Sequence, residues 1–101
     1  MRIIVMLKPT NKRGTKTAYT KFREHLRKDG YTLMQPEVFI RSVTSRHAAA
    51  SHLETLRAQC PPTGTVRVIT MTEKQFSRIH VLVGGPDAQE VSVGALSLID
   101  L

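Results

Sequence analysis

The chain opens on a continuous apolar run, Ile3 to Leu7, bounded by Arg2 and Lys8. Five apolar residues without polar alternation have the length of a strand, and a strand with no polar face is one covered on both sides. Pro9, Asn11 and Gly14 then break the run. From Ala18 to Lys28 the period changes: Tyr19, Phe22 and Leu26 recur at spacings of three and four, the stripe of an amphipathic helix. Asp29-Gly30 stops that helix, because glycine supplies the left-handed conformation just past a helix end. The segment YTLMQPEVFIRSV, residues 31 to 43, is rich in β-branched and aromatic residues. Pro36 in its middle cannot donate to a ladder, so two short strands or one kinked edge strand are predicted. Thr44 or Ser45 can cap a second helix in which Ala49, Leu53, Leu56 and Cys60 repeat at four, three and four. PPTG, residues 61 to 64, ends it. Over Thr65 to Met71, Val66 and Val68 alternate with Arg67 and Ile69, a strand with one more polar face. TEKQ, residues 72 to 75, matches a capping box and predicts a single helical turn. A strand over His80 to Val83, a GGPD turn and a last strand within EVSVGALSLIDL complete the pattern.

The order β-α-β-β-α-β with an added C-terminal strand predicts an α+β fold: a ferredoxin-like βαββαβ sandwich, two helices on one face of an antiparallel sheet. With 101 residues there is room for one domain, over 1 to 85, and a C-terminal strand or tail over 86 to 101. A chain of this size buries somewhat over about 60% of its unfolded surface and has little stability to spare. The uncovered sheet face is not polar on every strand, so a homodimer through that face is expected.

Charge adds a partner to this picture. All fifteen lysines and arginines lie in residues 1 to 80, against five acids there, whereas residues 81 to 101 carry three acids and no base. A basic body with a weakly acidic, apolar tail points to a polyanion for the former and a protein contact for the latter. Cys60 has no cysteine partner within the chain, which suits a reducing cytosol. The longest apolar runs fall far short of the roughly 20 residues that span a bilayer, so a cytoplasmic location without membrane contact is expected.

Metal and nucleophile patterns are thin. His25, His47, His52 and His80 are dispersed, and His47 and His52 stand five apart, about 140° from one helical face. Serine and histidine occur without a nucleophile elbow. VGGP lacks the Lys-Ser/Thr of a phosphate loop and reads as a turn. Tyr19, Phe22, Phe39 and Phe76 read as core.

Three stretches carry a resemblance: MRIIVMLKPT at the start, GYTLMQPEVFIR at 30 to 41, and PPTGTVRVITMTEKQFSRI at 61 to 79. PPTG before a strand and TEKQFS after it are the most specific. Over residues 1 to about 85 the chain resembles the CRISPR-associated protein 2 family, the small spacer-acquisition subunit, in its type II form. The resemblance implies a ferredoxin-like homodimer that bridges dimers of the CRISPR-associated integrase and holds double-stranded prespacer DNA. Some members are described as metal-dependent nucleases, and a toxin family of related fold cleaves RNA.

In the family pattern the first strand ends on an aspartate, one per protomer, where the two could share a magnesium ion. Here that position is Lys8, and residues 1 to 23 contain no acid at all. Magnesium wants anionic oxygen ligands, so neither a metal nor a catalytic residue is assigned and a non-catalytic scaffold is expected, with a metal-dependent endonuclease or toxin-type ribonuclease as the alternative. Two Lys8 side chains meeting across a twofold repel by about 1 kcal/mol at 4 Å in water unless an anion lies between them. A DNA phosphate meets that need, and a lysine whose stem packs while its head stays in solvent is the plainer account.

Further DNA-binding candidates are Lys12, Arg13 and Lys16 after the first strand, Lys21, Arg23, Arg27 and Lys28 on the first helix, and Arg67, Lys74 and Arg78 later. Such charges grip the backbone without reading bases. In the tail, Val91, Val93, Leu96 and Leu98 are candidates for contact with the partner protomer or the integrase by strand addition.

Overall fold

The computed structural model describes residues 1–85. Its element order is β1 (Arg2–Lys8), α1 (Thr15–Lys28), β2 (Thr32–Gln35), β3 (Val38–Ser42), α2 (Arg46–Gln59), β4 (Thr65–Met71) and the short α3 (Glu73–Phe76). The strands form one antiparallel sheet in the order β2-β3-β1-β4. This small α+β fold is the expected ferredoxin-like arrangement, with β1 central and paired on both sides.

Side-chain alternation along β1 divides the molecule. Ile3, Val5 and Leu7 point to one face, where they join Tyr19, Phe22 and Leu26 of α1, Phe39 of β3, and Ala49 and Leu56 of α2 in the main core. Each buried Ile, Val, Leu and Phe side chain among them contributes about 1.5–3 kcal/mol of transfer free energy. The alternate residues face the other way. Ile4 and Ile40 pack there beneath Phe76, so α3 covers part of the second face. Met6 and Ile69 stay exposed on the remainder.

Local chemistry sets the element limits. α1 begins at Thr15, earlier than the apolar stripe announces, because Gly14 at φ 83° turns the chain into it. Ser45, not Thr44, caps α2, its hydroxyl accepting from the Ala48 amide at 3.1 Å. The capping box at Thr72 and Gln75 is present in both directions. Pro36 and Glu37 divide the predicted segment into β2 at the sheet edge and β3 inside it, with Glu37 at φ 64°.

Two expectations fail. Cys60 is exposed at the C-cap of α2 with extended backbone, so it leaves the helical stripe that Ala49 and Leu56 keep. His80 to Val83 form no strand. They lie beside Met34 and Gln35 of the edge strand without pairing, and Leu82 and Val83 are 90% and 93% exposed. Alternating apolar residues define a strand only when a partner backbone takes up their amides. The predicted C-terminal strand, with Val91, Val93, Leu96 and Leu98, lies outside the described residues. No helix among the described residues is long and apolar enough to cross a membrane.

Candidate nucleic-acid interface

One end of the sheet gathers the basic residues that stand closest in sequence to β1. Lys8 ends that strand opposite Thr65 of β4, on the face that also carries Met6 and its cross-strand neighbour Arg67. Hydroxyl groups tie the adjoining loops together. Thr15, buried at the start of α1, shares hydrogen bonds with Thr63 at 2.8 Å and Thr10 at 3.4 Å, and the Lys12 amide donates to Thr10 Oγ1. The Tyr19 hydroxyl donates to the Thr63 carbonyl at 2.7 Å. Gly64, at φ 76°, lies so close to the Lys8 carbonyl and the Tyr19 hydroxyl that a Cβ there would strike both. The PPTG loop is therefore locked against the end of β1, and Lys8, Lys12, Arg13 and Lys16 project from it into solvent.

Glu37 closes the other side of this end. Its carbonyl accepts the Leu7 amide at 2.8 Å, and its carboxylate takes Arg23 in a two-pronged contact at 3.0 and 2.8 Å. Arg23 is thus engaged by a carboxylate within the protein. Its helix neighbour Arg27 lies over the Phe39 ring at 5.7 Å.

The remaining candidates lie apart from this group. Lys21, Arg27 and Lys28 are exposed along α1, and Lys28 borders a cleft between α1 and α2. Lys74, within α3, and Arg78, just after it, lie at the Arg2 end of the sheet, about 20 Å from Lys8 by strand rise. There the buried Arg2 pairs with Glu73 at 3.0 Å and stacks on Phe76 at 4.5 Å. Of the eleven candidates, Lys8, Lys12, Arg13 and Lys16 share this end with Arg67 on the adjoining strand and with Arg23, which Glu37 engages; Lys21, Arg27, Lys28, Lys74 and Arg78 lie elsewhere.

A magnesium ion does not fit the Lys8 position. The strand end offers an ammonium, a proline and threonine hydroxyls, and the Glu37 carboxylate at its side is taken by Arg23, while magnesium requires anionic oxygens. Among the described residues, no three His, Cys, Asp or Glu stand together as a metal group.

A second polar constellation was not legible in the sequence. His52 Nδ1 lies 3.3 Å from Asp29 Oδ2 and 3.1 Å from the Tyr31 hydroxyl. Burial, with the nearby Asp29 charge adding to it, pushes the Tyr31 phenol up to about 12, so it remains a neutral hydrogen-bonding group. The contact joins the end of α1 to the middle of α2 across 23 residues, a distance no local spacing rule reaches.

The family model described as CRISPR associated protein Cas2 matches residues 4–79. The chain belongs to the CRISPR-associated Cas2 family. It is similar to proteins named CRISPR-associated endoribonuclease Cas2 from Acidovorax ebreus, 40% identical over 99 residues and 97% of each chain, and from Parvibaculum lavamentivorans, 41% identical over 76 residues and 75% of each chain. A protein of the same name from Campylobacter jejuni is 36% identical over 86 residues, which are 84% of this chain and 60% of that one. These names support a CRISPR-related function and overturn the expectation that the chain is not an enzyme. That expectation rested on Lys8 and on the absence of acids from residues 1 to 23. A missing carboxylate argues against one metal-dependent chemistry at one position, whereas RNA carries its own nucleophile in the 2′-hydroxyl.

Proposed function

We propose that the chain is an endoribonuclease of CRISPR immunity that works as a homodimer and grips nucleic-acid backbone with its Lys8 end. The observation that carries this reading is the constrained basic end itself. Lys8 at the end of β1, Lys12 and Arg13 in the following loop and Lys16 in the first turn of α1 are carried on backbone tied together by the Thr15, Thr63 and Tyr19 hydrogen bonds, so the surface that bears the charges is built before a ligand arrives. Phosphate contacts of this kind position a strand without selecting its sequence. The relatives' shared name supplies the reaction class. For the homodimer, the support is the exposed apolar surface around Met6 and Ile69 on the sheet face that α3 leaves open.

A second reading uses the same end for duplex DNA. Sequence-independent gripping suits a prespacer scaffold that bridges the CRISPR-associated integrase, the role the family resemblance implies. Both readings are tested with one triple variant, K12E/R13E/K16E. The purified protein is expected to bind labelled RNA and duplex with steep salt dependence, and the variant to lose about two to three units of the logarithmic salt slope, at about 0.7 to 0.9 per phosphate contact. An unchanged slope would remove the Lys8 end as the interface. Cleavage of RNA but not of duplex separates the first reading from the second, and sedimentation gives the oligomeric state.

A further inference from the structure

We infer that the twofold interface of this chain seats a phosphate group, held by Lys8 and Arg67 of both protomers, at the place where the family resemblance implies a shared magnesium ion. The inference rests on the homodimer reading above and names the ligand that the interface takes.

The register of the sheet fixes where the charges stand. Across β1 and β4, Ile4 pairs with Ile69, Met6 with Arg67 and Lys8 with Thr65. Side chains alternate along a strand, so these six residues share one face. It is the face opposite the main core, and α3 covers part of it through Phe76. Its open remainder presents Met6 and Ile69, 36% and 46% exposed, and beside them the exposed Lys8 and Arg67. Those two cations are diagonal neighbours on adjacent strands, about 7–8 Å apart at the backbone, close enough for both side chains to reach one anion. Neither has a carboxylate partner among the described residues. The four strands themselves contain no aspartate or glutamate.

A second copy centred on Met6 and Ile69 meets these charges. A stable interface takes about 800 Å² from each partner, a patch about 16 Å in radius. Lys8 lies two residues beyond Met6, about 7 Å along the strand, and so falls inside it. A twofold interface uses the same patch on both copies, so burying the apolar residues gathers Lys8 and Arg67 from each protomer where water screens them less. No acid on these strands answers them. A phosphate does, because it carries the opposite charge and its oxygens accept from a guanidinium fork and an ammonium at once. A magnesium ion would add to the repulsion. The seat lies at the same end as Lys12, Arg13 and Lys16, and the phosphate can come from a nucleic-acid backbone or from a free anion.

The test follows association of the purified full chain by sedimentation at fixed ionic strength, with inorganic pyrophosphate as the probe. A ligand that binds only the dimer tightens it about tenfold when present at about ten times its dissociation constant, and that shift is expected for wild type. MgCl₂ in its place is expected to act no differently from NaCl. K8M/R67M changes exposed positions on an apolar face, so its melting curve should match or exceed that of wild type. It is expected to dimerise at least as tightly as wild type in chloride and to lose the pyrophosphate response. Calorimetry reads the seat even in a dimer too tight to dissociate: K8M/R67M should fall short of wild type by one pyrophosphate for every two chains. Displacement of that pyrophosphate by a short DNA duplex assigns the phosphate to nucleic acid, and its retention under saturating duplex assigns it to a free anion. A deficit of one pyrophosphate per chain, a response that survives K8M/R67M, or tightening of wild type by Mg²⁺ overturns the inference. A dimer indifferent to pyrophosphate removes the seat and leaves the homodimer standing, whereas a chain that stays monomeric with and without the anion removes both.

Discussion

Replacing Gly64 by alanine is expected to damage stability and the nucleic-acid interface together. At φ 76° the backbone is in the left-handed region, where an alanine costs about 1 kcal/mol. The added Cβ would also meet the Lys8 carbonyl at 2.6 Å as well as the Tyr19 hydroxyl, and both are fixed: the carbonyl belongs to a central strand, and the hydroxyl is bound to Thr63. Breaking the Tyr19 hydrogen bond to make room leaves a buried donor short of its partner, a loss of about 1–3 kcal/mol. The sum is about 2–4 kcal/mol. At about 4–8 °C per kcal/mol for a domain of this size, the melting temperature should fall by at least about 8 °C. Gly14→Ala is the internal control, since Gly14 has φ 83° but nothing within 4 Å of its notional Cβ. It should show the backbone cost alone, about 1 kcal/mol. Thermal melts of the two variants, with RNA and duplex affinity at low salt, decide the matter. Equal shifts for G14A and G64A would refute the claim that the PPTG loop is locked against β1. A destabilised G64A that binds as wild type does would sever that lock from the interface.

Three more outcomes follow from the same geometry. Glu37 loses its pair with Arg23 in both E37A and E37G, but only glycine relieves the positive φ, so E37G should melt above E37A, by about 1 kcal/mol in urea titrations. E73A strips the carboxylate from a fully buried Arg2 guanidinium and should cost about 1.5–3 kcal/mol, the range for a hydrogen bond to a charged group. The Tyr31 phenol has a folded-state value of about 12 against an ordinary 10.0. Its contribution is complete below pH 10 and is lost as pH climbs toward 12, at about 1.4 kcal/mol per pH unit; melting curves of Y31F across that window should therefore fall less steeply than those of wild type.

The sequence by itself determined which stretches become strands and helices, because the apolar period is a local property. Ile3 to Leu7, the stripe of Tyr19, Phe22 and Leu26, and the capping box at Thr72 all occupy the structures their spacing predicts. It also placed the basic residues after β1, since Pro9 and Gly14 mark that loop without reference to anything distant. Where backbones had to meet, the pattern ran out. His80 to Val83 have the composition of a strand and lie beside the edge strand without pairing with it, and Arg23 looked like a surface charge until the β2–β3 turn brought Glu37 to it. The tertiary structure alone decided that Asp29, Tyr31 and His52 converge. Residues separated by 21 to 23 positions become neighbours only when two helices pack on the same sheet, and that packing is set by buried volume rather than by any spacing along the chain.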